Sequence, residues 1–177
     1  NKAGGTISGR DVSLTSLTGD VINERTVTGY DSSNGYNSQH RDFVDNTARI
    51  EAANDLTIQA GRDASYIGGV VQSGRDTRIS AGRDVMLGSA TQVNSNSHGK
   101  NSRDLTISQN GSSLEAGRDL SISAGRDLNV IASQVDVQRD IALTAGNNLT
   151  LASAAEEEHS YNKTKKVTSQ EDHISQV

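Results

Sequence analysis

The sequence predicts an all-β fold: a right-handed parallel β-helix (β-solenoid) with coils of about 21 residues and protruding β-hairpin excursions. Three observations predict it. A short phrase, (Ala/Ser)-Gly-Arg-Asp followed by an alternating apolar strand, is repeated along the chain, and the residues that open its strands are Asp119, Asp127, Asp140 and Asn148. Their steps of 8, 13 and 8 recur at Asp55, Asp63, Asp76 and Asp84. The whole pattern then repeats at a shift of 64, which relates Asp20 to Asp84 and Asn148, and Asp55 to Asp119. Composition agrees: the chain is 32% hydrophobic and 3% aromatic, too little bulk for a thick core but enough for a narrow tube.

The 21-residue step (8 plus 13) is one coil of three short strands and three corners. The remaining 43 residues of each 64 leave room for a second coil and an excursion of about 22. In order, residues 1–20 carry rungs, with Val12 and Leu14 alternating against Ser13 and Thr15. Residues 22–49, 91–111 and 153–177 break the pattern as hairpin excursions from a single β-helix segment, 1–177, of a longer protein. Rungs return between them. The expected tips are Asp31–Gly35, Ser95–Gly99 and His159–Lys163, the first carrying the Asn-Gly turn signal. Pairing about those centres sets Arg25 opposite Asp42, and Glu157 and Glu158 opposite Lys166 and Lys165. Such pairs contribute roughly 0.2–1 kcal/mol each. The same acidic and basic run also fits a solvated tail.

At the corners, glycine is expected to take left-handed backbone, and Asp or Asn to bond its own backbone before the next strand. Stacked coils put equivalent residues about 4.8 Å apart. Like charges at that distance repel by about 0.9 kcal/mol in water and far more when buried. The nine Arg-Asp dipeptides therefore belong at solvent-facing corners, each Arg beside an Asp of a neighbouring coil. Asn147-Asn148 makes one uncharged step.

Net charge is −5, which argues against nucleic acid as the partner. The absence of cysteine excludes disulfides and thiolate chemistry, and no apolar run is long enough to span a membrane. No catalytic constellation stands out, no cofactor is expected, and His40, His98, His159 and His173 lack metal-ligand spacing. The chain is not expected to be an enzyme; a β-helix enzyme acting on polysaccharide is the remote alternative. The excursions gather the scarce aromatics. The candidate binding residues are Tyr30, Tyr36, Phe43, His98 and Tyr161, for a target-cell receptor or glycan.

The rung phrase resembles the haemagglutinin repeats of filamentous haemagglutinin-like exoproteins, which include effectors of contact-dependent growth inhibition. The residues that carry the resemblance are Ala60-Gly61-Arg62-Asp63, Ser80–Val85, Ala116–Ser123, Ala124–Ser133 and Thr144–Leu151. Arg41–Asp45, Ala48–Ala52 and Ser153–Lys166 extend it into the excursions. The resemblance implies a parallel β-helix, secretion by an outer-membrane two-partner transporter, and a surface filament on a Gram-negative bacterium. It implies adhesion, or delivery of a toxin to a target cell.

Overall fold

The computed structural model describes residues 1–163 and the backbone of 172–176. The first coil holds β1 (Thr6–Gly9), β2 (Val12–Ser16) and β3 (Val21–Glu24). A hairpin follows, β4 (Val27–Ser33) and β5 (Asn37–Val44). Two coils come next: β6 (Arg49–Ala52), β7 (Leu56–Ala60) and β8 (Ala64–Ile67), then β9 (Val70–Ser73), β10 (Thr77–Ala81) and β11 (Val85–Gly88). The second hairpin is β12 (Ala90–His98) and β13 (Ser102–Asn110). Two more coils hold β14 (Ser113–Ala116), β15 (Leu120–Ala124) and β16 (Leu128–Ile131), then β17 (Gln134–Val137), β18 (Ile141–Ala145) and β19 (Leu149–Ala152). The last described strands are β20 (Glu157–Asn162) and β21 (Asp172–Gln176).

The chain divides into two compact units. One holds residues 1–26, 45–90 and 110–153; the other holds 27–44, 91–109 and 154–177. The span 22–49 thus contributes to both, with 22–26 and 45–49 belonging to the coils. In the first unit every coil gives one strand to each of three five-stranded parallel sheets, which makes it a parallel β-helix. Ile7, Ile50, Val71, Leu114 and Val135 lie in register down one sheet. Their separations alternate between 43 and 21 residues, so a bare coil alternates with a coil that carries an excursion.

Alternation puts one residue in two inside the tube. β7 and β10 bury Leu56, Ile58, Ala60, Thr77, Ile79 and Ala81 and leave Thr57 and Arg78 outside. Stacking then forms columns of like residues, such as Ile58, Ile79 and Ile122. Leu, Ile, Val and Ala suffice because each side chain fills only its own level of a tube one coil wide. At one turn a polar group inside is bonded to the backbone: the buried Asn23 amide donates to the carbonyls of Ala48 and Val70, both at 3.2 Å.

The Arg-Asp phrase builds two columns at the corners. In one, Arg62 forks onto Asp20, Arg83 onto Asp63 and Arg126 onto Asp84. In the other, Arg75 pairs with Asp55, Arg118 with Asp76 and Arg139 with Asp119. Each Arg reaches back to the Asp one coil earlier. Asn147 and Asn148 donate to Asp127 in the same way, the uncharged step. Arg41-Asp42 and Arg103-Asp104 are exceptions, for they lie in β5 and β13 rather than at corners.

Two corner expectations are corrected. The aspartates do not close turns on their own backbone. Their carboxylates accept the N–H of the equivalent residue in the next coil, as Asp20 does from Asp63 and Asp63 from Asp84, both at 3.2 Å. Nor do the glycines of the Arg-Asp corners adopt left-handed backbone; among corner glycines the expectation holds at Gly68, between β8 and β9, and the other glycines with positive φ are Gly4, Gly35 and Gly99. A Cβ on Gly61, Gly82, Gly125 or Gly146 would instead overlap the carbonyl oxygen of Leu17, Gly61, Gly82 or Gly125, respectively. These glycines are required because neighbouring coils approach backbone to backbone where the Arg-Asp forks close.

The forks hold the Asp20, Asp55, Asp63 and Asp84 carboxyls below their ordinary range, chiefly through the hydrogen bonds from Arg62, Arg75, Arg83 and Arg126. A depressed folded pKa contributes stability above the unfolded value of 3.8 that is lost as pH falls through the folded value. The melting temperature should therefore hold from neutrality to about pH 4 and fall below it. Replacing the four aspartates by asparagine should flatten that acid limb in circular-dichroism melts.

Candidate functional site

The second unit is a six-stranded sheet in the order β21-β20-β13-β12-β5-β4. Its strands are polar because a sheet without a tube to enclose needs no apolar stripe. The first turn is closed by Asn34 N–H to the Asn37 carbonyl, and by Asn37 N–H to the Asn34 side-chain oxygen, both at 3.0 Å. Gly35 supplies the positive φ of 82°. Gly99, 64 residues later, has φ of 55° in the second turn.

The tips fall later in the chain than expected. Gly29, not Arg25, stands opposite Asp42. Arg25 belongs with the coils, where its N–H donates to Ile67 and its guanidinium to Asn110. Asn-Gly governs the register because the turn must sit where φ is positive, and that moves every pair toward Gly35. Glu157 and Glu158 stand opposite Gln176 and Ser175 of β21. Lys165 and Lys166 lie outside the described residues.

Register sorts the candidate residues by face. Tyr30 is opposite Arg41, Arg41 is opposite Asn94, and Phe43 is two residues along from Arg41. His98 is four along from Asn94. Tyr30, Phe43 and His98 therefore share one face of the sheet, with Arg41, Asn94 and Asn96 between them. Tyr30 is 57% exposed and Phe43 55%. Tyr36 is in the first turn, 82% exposed. Tyr161 is half-buried and stands opposite Arg103. The structure thus brings three of the five candidates to one face and places Tyr36 at the tip.

Three features were not anticipated from the sequence. The first is the junction of hairpins one and two, where the Ser38 and Ser97 hydroxyls meet at 2.9 Å and Gly99 N–H donates to the Tyr36 carbonyl at 2.5 Å. The second is a cleft of about 630 Å³ at those tips, lined by Tyr36, Asn37, Ser38, Ser97, Lys100 and Asn101 among others. The third lies on the opposite face. His40 Nδ1 is 2.7 Å from Asp31 and its Nε2 is 3.1 Å from Asp42. The other Asp42 oxygen accepts the Val93 N–H at 2.7 Å. Strand pairing alone could have suggested the His40 contacts, but only after the turn had been placed.

The His40 imidazolium is favoured, first by the Asp31 hydrogen bond and then by the charges of Asp31 and Asp42, so its pKa rises above 6.5. The residue facing it from β12 is the uncharged Ser95. A raised histidine pKa contributes stability that is full below 6.5 and lost as pH rises through the folded value. His40 should titrate above the ordinary histidine range by NMR. Hydrogen-exchange protection of the Val93 amide should fall with that titration, and His40→Gln should remove the dependence.

Comparison with known proteins agrees with the fold. The model of a family described as hemagglutinin repeat matches residues 28–108 and again 96–172. Two relatives are each named tRNA nuclease CdiA, one from Escherichia coli O6:K15:H31 (strain 536 / UPEC) and one from Escherichia coli (strain NC101). Each is 34% identical over 166 residues, covering 88% of this chain. The match covers only 5% of each relative's length. No solved structure matches the chain. Coils of a parallel β-helix interrupted at a 64-residue interval by hairpins, together with these matches, make the chain a member of the hemagglutinin-repeat family.

Proposed function

We propose that the chain is a structural segment of a secreted filament on a Gram-negative bacterial surface, exported by an outer-membrane two-partner transporter, that reaches target cells for adhesion or toxin delivery. The observation that carries this reading is the module itself. Every 64 residues add two coils to the β-helix, joined by main-chain pairing and the Arg-Asp forks. Such a module extends length without new chemistry, as a shaft requires. The nuclease activity in the relatives' name is not assigned to this segment. The segment spans only 5% of each relative's length, and the family it matches is a repeat.

Inserting further 64-residue modules in register into the full-length protein tests the reading. Each should lengthen the filament by about 1 nm, two coils at about 4.8 Å, with secretion and target-cell engagement retained. Ten added modules would be measurable by electron cryotomography. Unchanged length, or loss of engagement despite normal secretion, would count against a shaft.

A second reading is recognition of a receptor or glycan through the hairpins, favoured by the shared, exposed face of Tyr30, Phe43 and His98. Here each hairpin is replaced in turn by a Gly-Gly corner, the connection used at Gly68-Gly69 where one coil passes directly to the next. Target-cell binding that survives all replacements would end this reading.

A further inference from the structure

We propose that the cleft at the tips of the first two hairpins binds an anionic sugar, with Tyr36 as the stacking platform and Lys100 as the anion contact. The proposal deepens the recognition reading above and rests on it.

The cleft is preformed. Positive φ at Gly35 and Gly99 sets both turns, and a Cβ at either would meet nothing within 4 Å, so the glycines serve backbone conformation rather than packing. The Ser38–Ser97 contact and the Gly99-to-Tyr36 bond tie one tip to the other. Such a site loses little conformational freedom on binding.

Its chemistry is that of a sugar site. The one aromatic ring lining it is Tyr36, 82% exposed, a flat apolar surface for the C–H face of a pyranose. Around it are the amides of Asn37 and Asn101 and the hydroxyls of Ser33, Ser38 and Ser97, groups that both donate and accept and so match vicinal hydroxyls. No leucine, isoleucine, valine or phenylalanine lines the walls, which leaves little for a peptide side chain or a lipid to bury.

Charge selects the class of sugar. Lys100 is the single charged residue of the lining, and it makes no ion pair among the described residues. The chain as a whole carries −5, so an anion is disfavoured at large and favoured here, within a Debye length of about 8 Å of the ammonium. The anion could be a carboxylate, as on a sialylated glycan, or a sulfate, as on a glycosaminoglycan.

The test titrates the 177-residue chain with sialyllactose, sulfated lactose and neutral lactose, followed by backbone-amide NMR shifts. At least one anionic sugar should shift the amides of residues 35–38 and 97–101 and bind at least tenfold more tightly than lactose. Lys100→Met should erase that preference, and Tyr36→Ala should abolish binding of all three, with melting temperature unchanged in both variants because the tips are outside the β-helix. Stronger binding of the sialylated than of the sulfated form identifies a carboxylate site, and the reverse a sulfate site. Equal binding of lactose and both anionic sugars, an unaltered preference in Lys100→Met, or no shift at the tips would overturn the proposal. If the hairpins prove necessary for target-cell binding while no sugar binds, recognition stands and the sugar site falls.

Discussion

Ile79→Ala should destabilise the β-helix by about 2–5 kcal/mol, the range for removing most of a buried branched side chain. Ile79 is 1% exposed and sits in β10 between Ile58 of β7 and Ile122 of β15. The cavity would open between two coils at once, and neither wall can collapse, because strand spacing is held by main-chain hydrogen bonds on both sides. In a solenoid each coil is stabilised by its neighbours, so the loss should also be local. Hydrogen exchange should report deprotection of β7, β10 and β15 together, with smaller change in β18. Arg78→Ala, on the outer face of the same strand, is the control and should leave the unfolding transition in place. A loss below about 1 kcal/mol for Ile79→Ala would mean that the tube relaxes around the gap, contrary to a core of rigid columns.

Gly82→Ala should cost about 1–3 kcal/mol although the residue is at an exposed corner. The added methyl would overlap the Gly61 carbonyl oxygen. A backbone oxygen cannot swing aside as a side chain can, so the coils must separate at that corner. The separation acts directly on the fork between Arg83 and Asp63 and on the bond from Asp84 N–H to Asp63. Side chains are already accommodated in the neighbouring column: Ala53 and Gln138 stand in line with Gly74 and Gly117, and the Arg-Asp approach is 3.6 Å beside Gln138, 3.2 Å beside Gly117 and 2.7 Å beside Gly74. Gln138→Ala should therefore be close to neutral. Denaturant titration of the two variants in parallel is the measurement, and equal effects would refute the steric account of the corner glycines.

The columns also show how much of the fold was legible. Asp-to-Asp spacing identified the coil, and the 64-residue shift identified the paired coils with their excursion, because each depends on covalent distance along the chain. The corner rule for Arg and Asp followed from electrostatics alone. The roles of glycine and of the Asp carboxylate did not, because both are set by contacts between coils, and identical φ preferences would suit a left-handed turn or a close approach. Hairpin register was missed for a related reason. Arg25 and Asp42 offered an attractive charge pair, but Arg25 is bonded among the coils, and Asn34-Gly35 decided where the strand turned.

The candidate site divides in the same way. Tyr30, Tyr36, Phe43, His98 and Tyr161 could be singled out because aromatic and imidazole side chains are rare in this chain and concentrate in the excursions. Which of them share a face depends on antiparallel register between hairpins, and a shift of one residue reverses the face of every side chain. Lys100, Asn37 and Asn101 carry no signal of their own in a polar turn, and they gain one only when two tips 64 residues apart are brought together. By itself, then, the sequence determined the coil, its period and the position of its charges, because those features repeat along one dimension. Tertiary structure alone decided the close backbone contacts, the pairing of one hairpin with the next and the cleft, because each arises between segments that the chain separates by one coil or more.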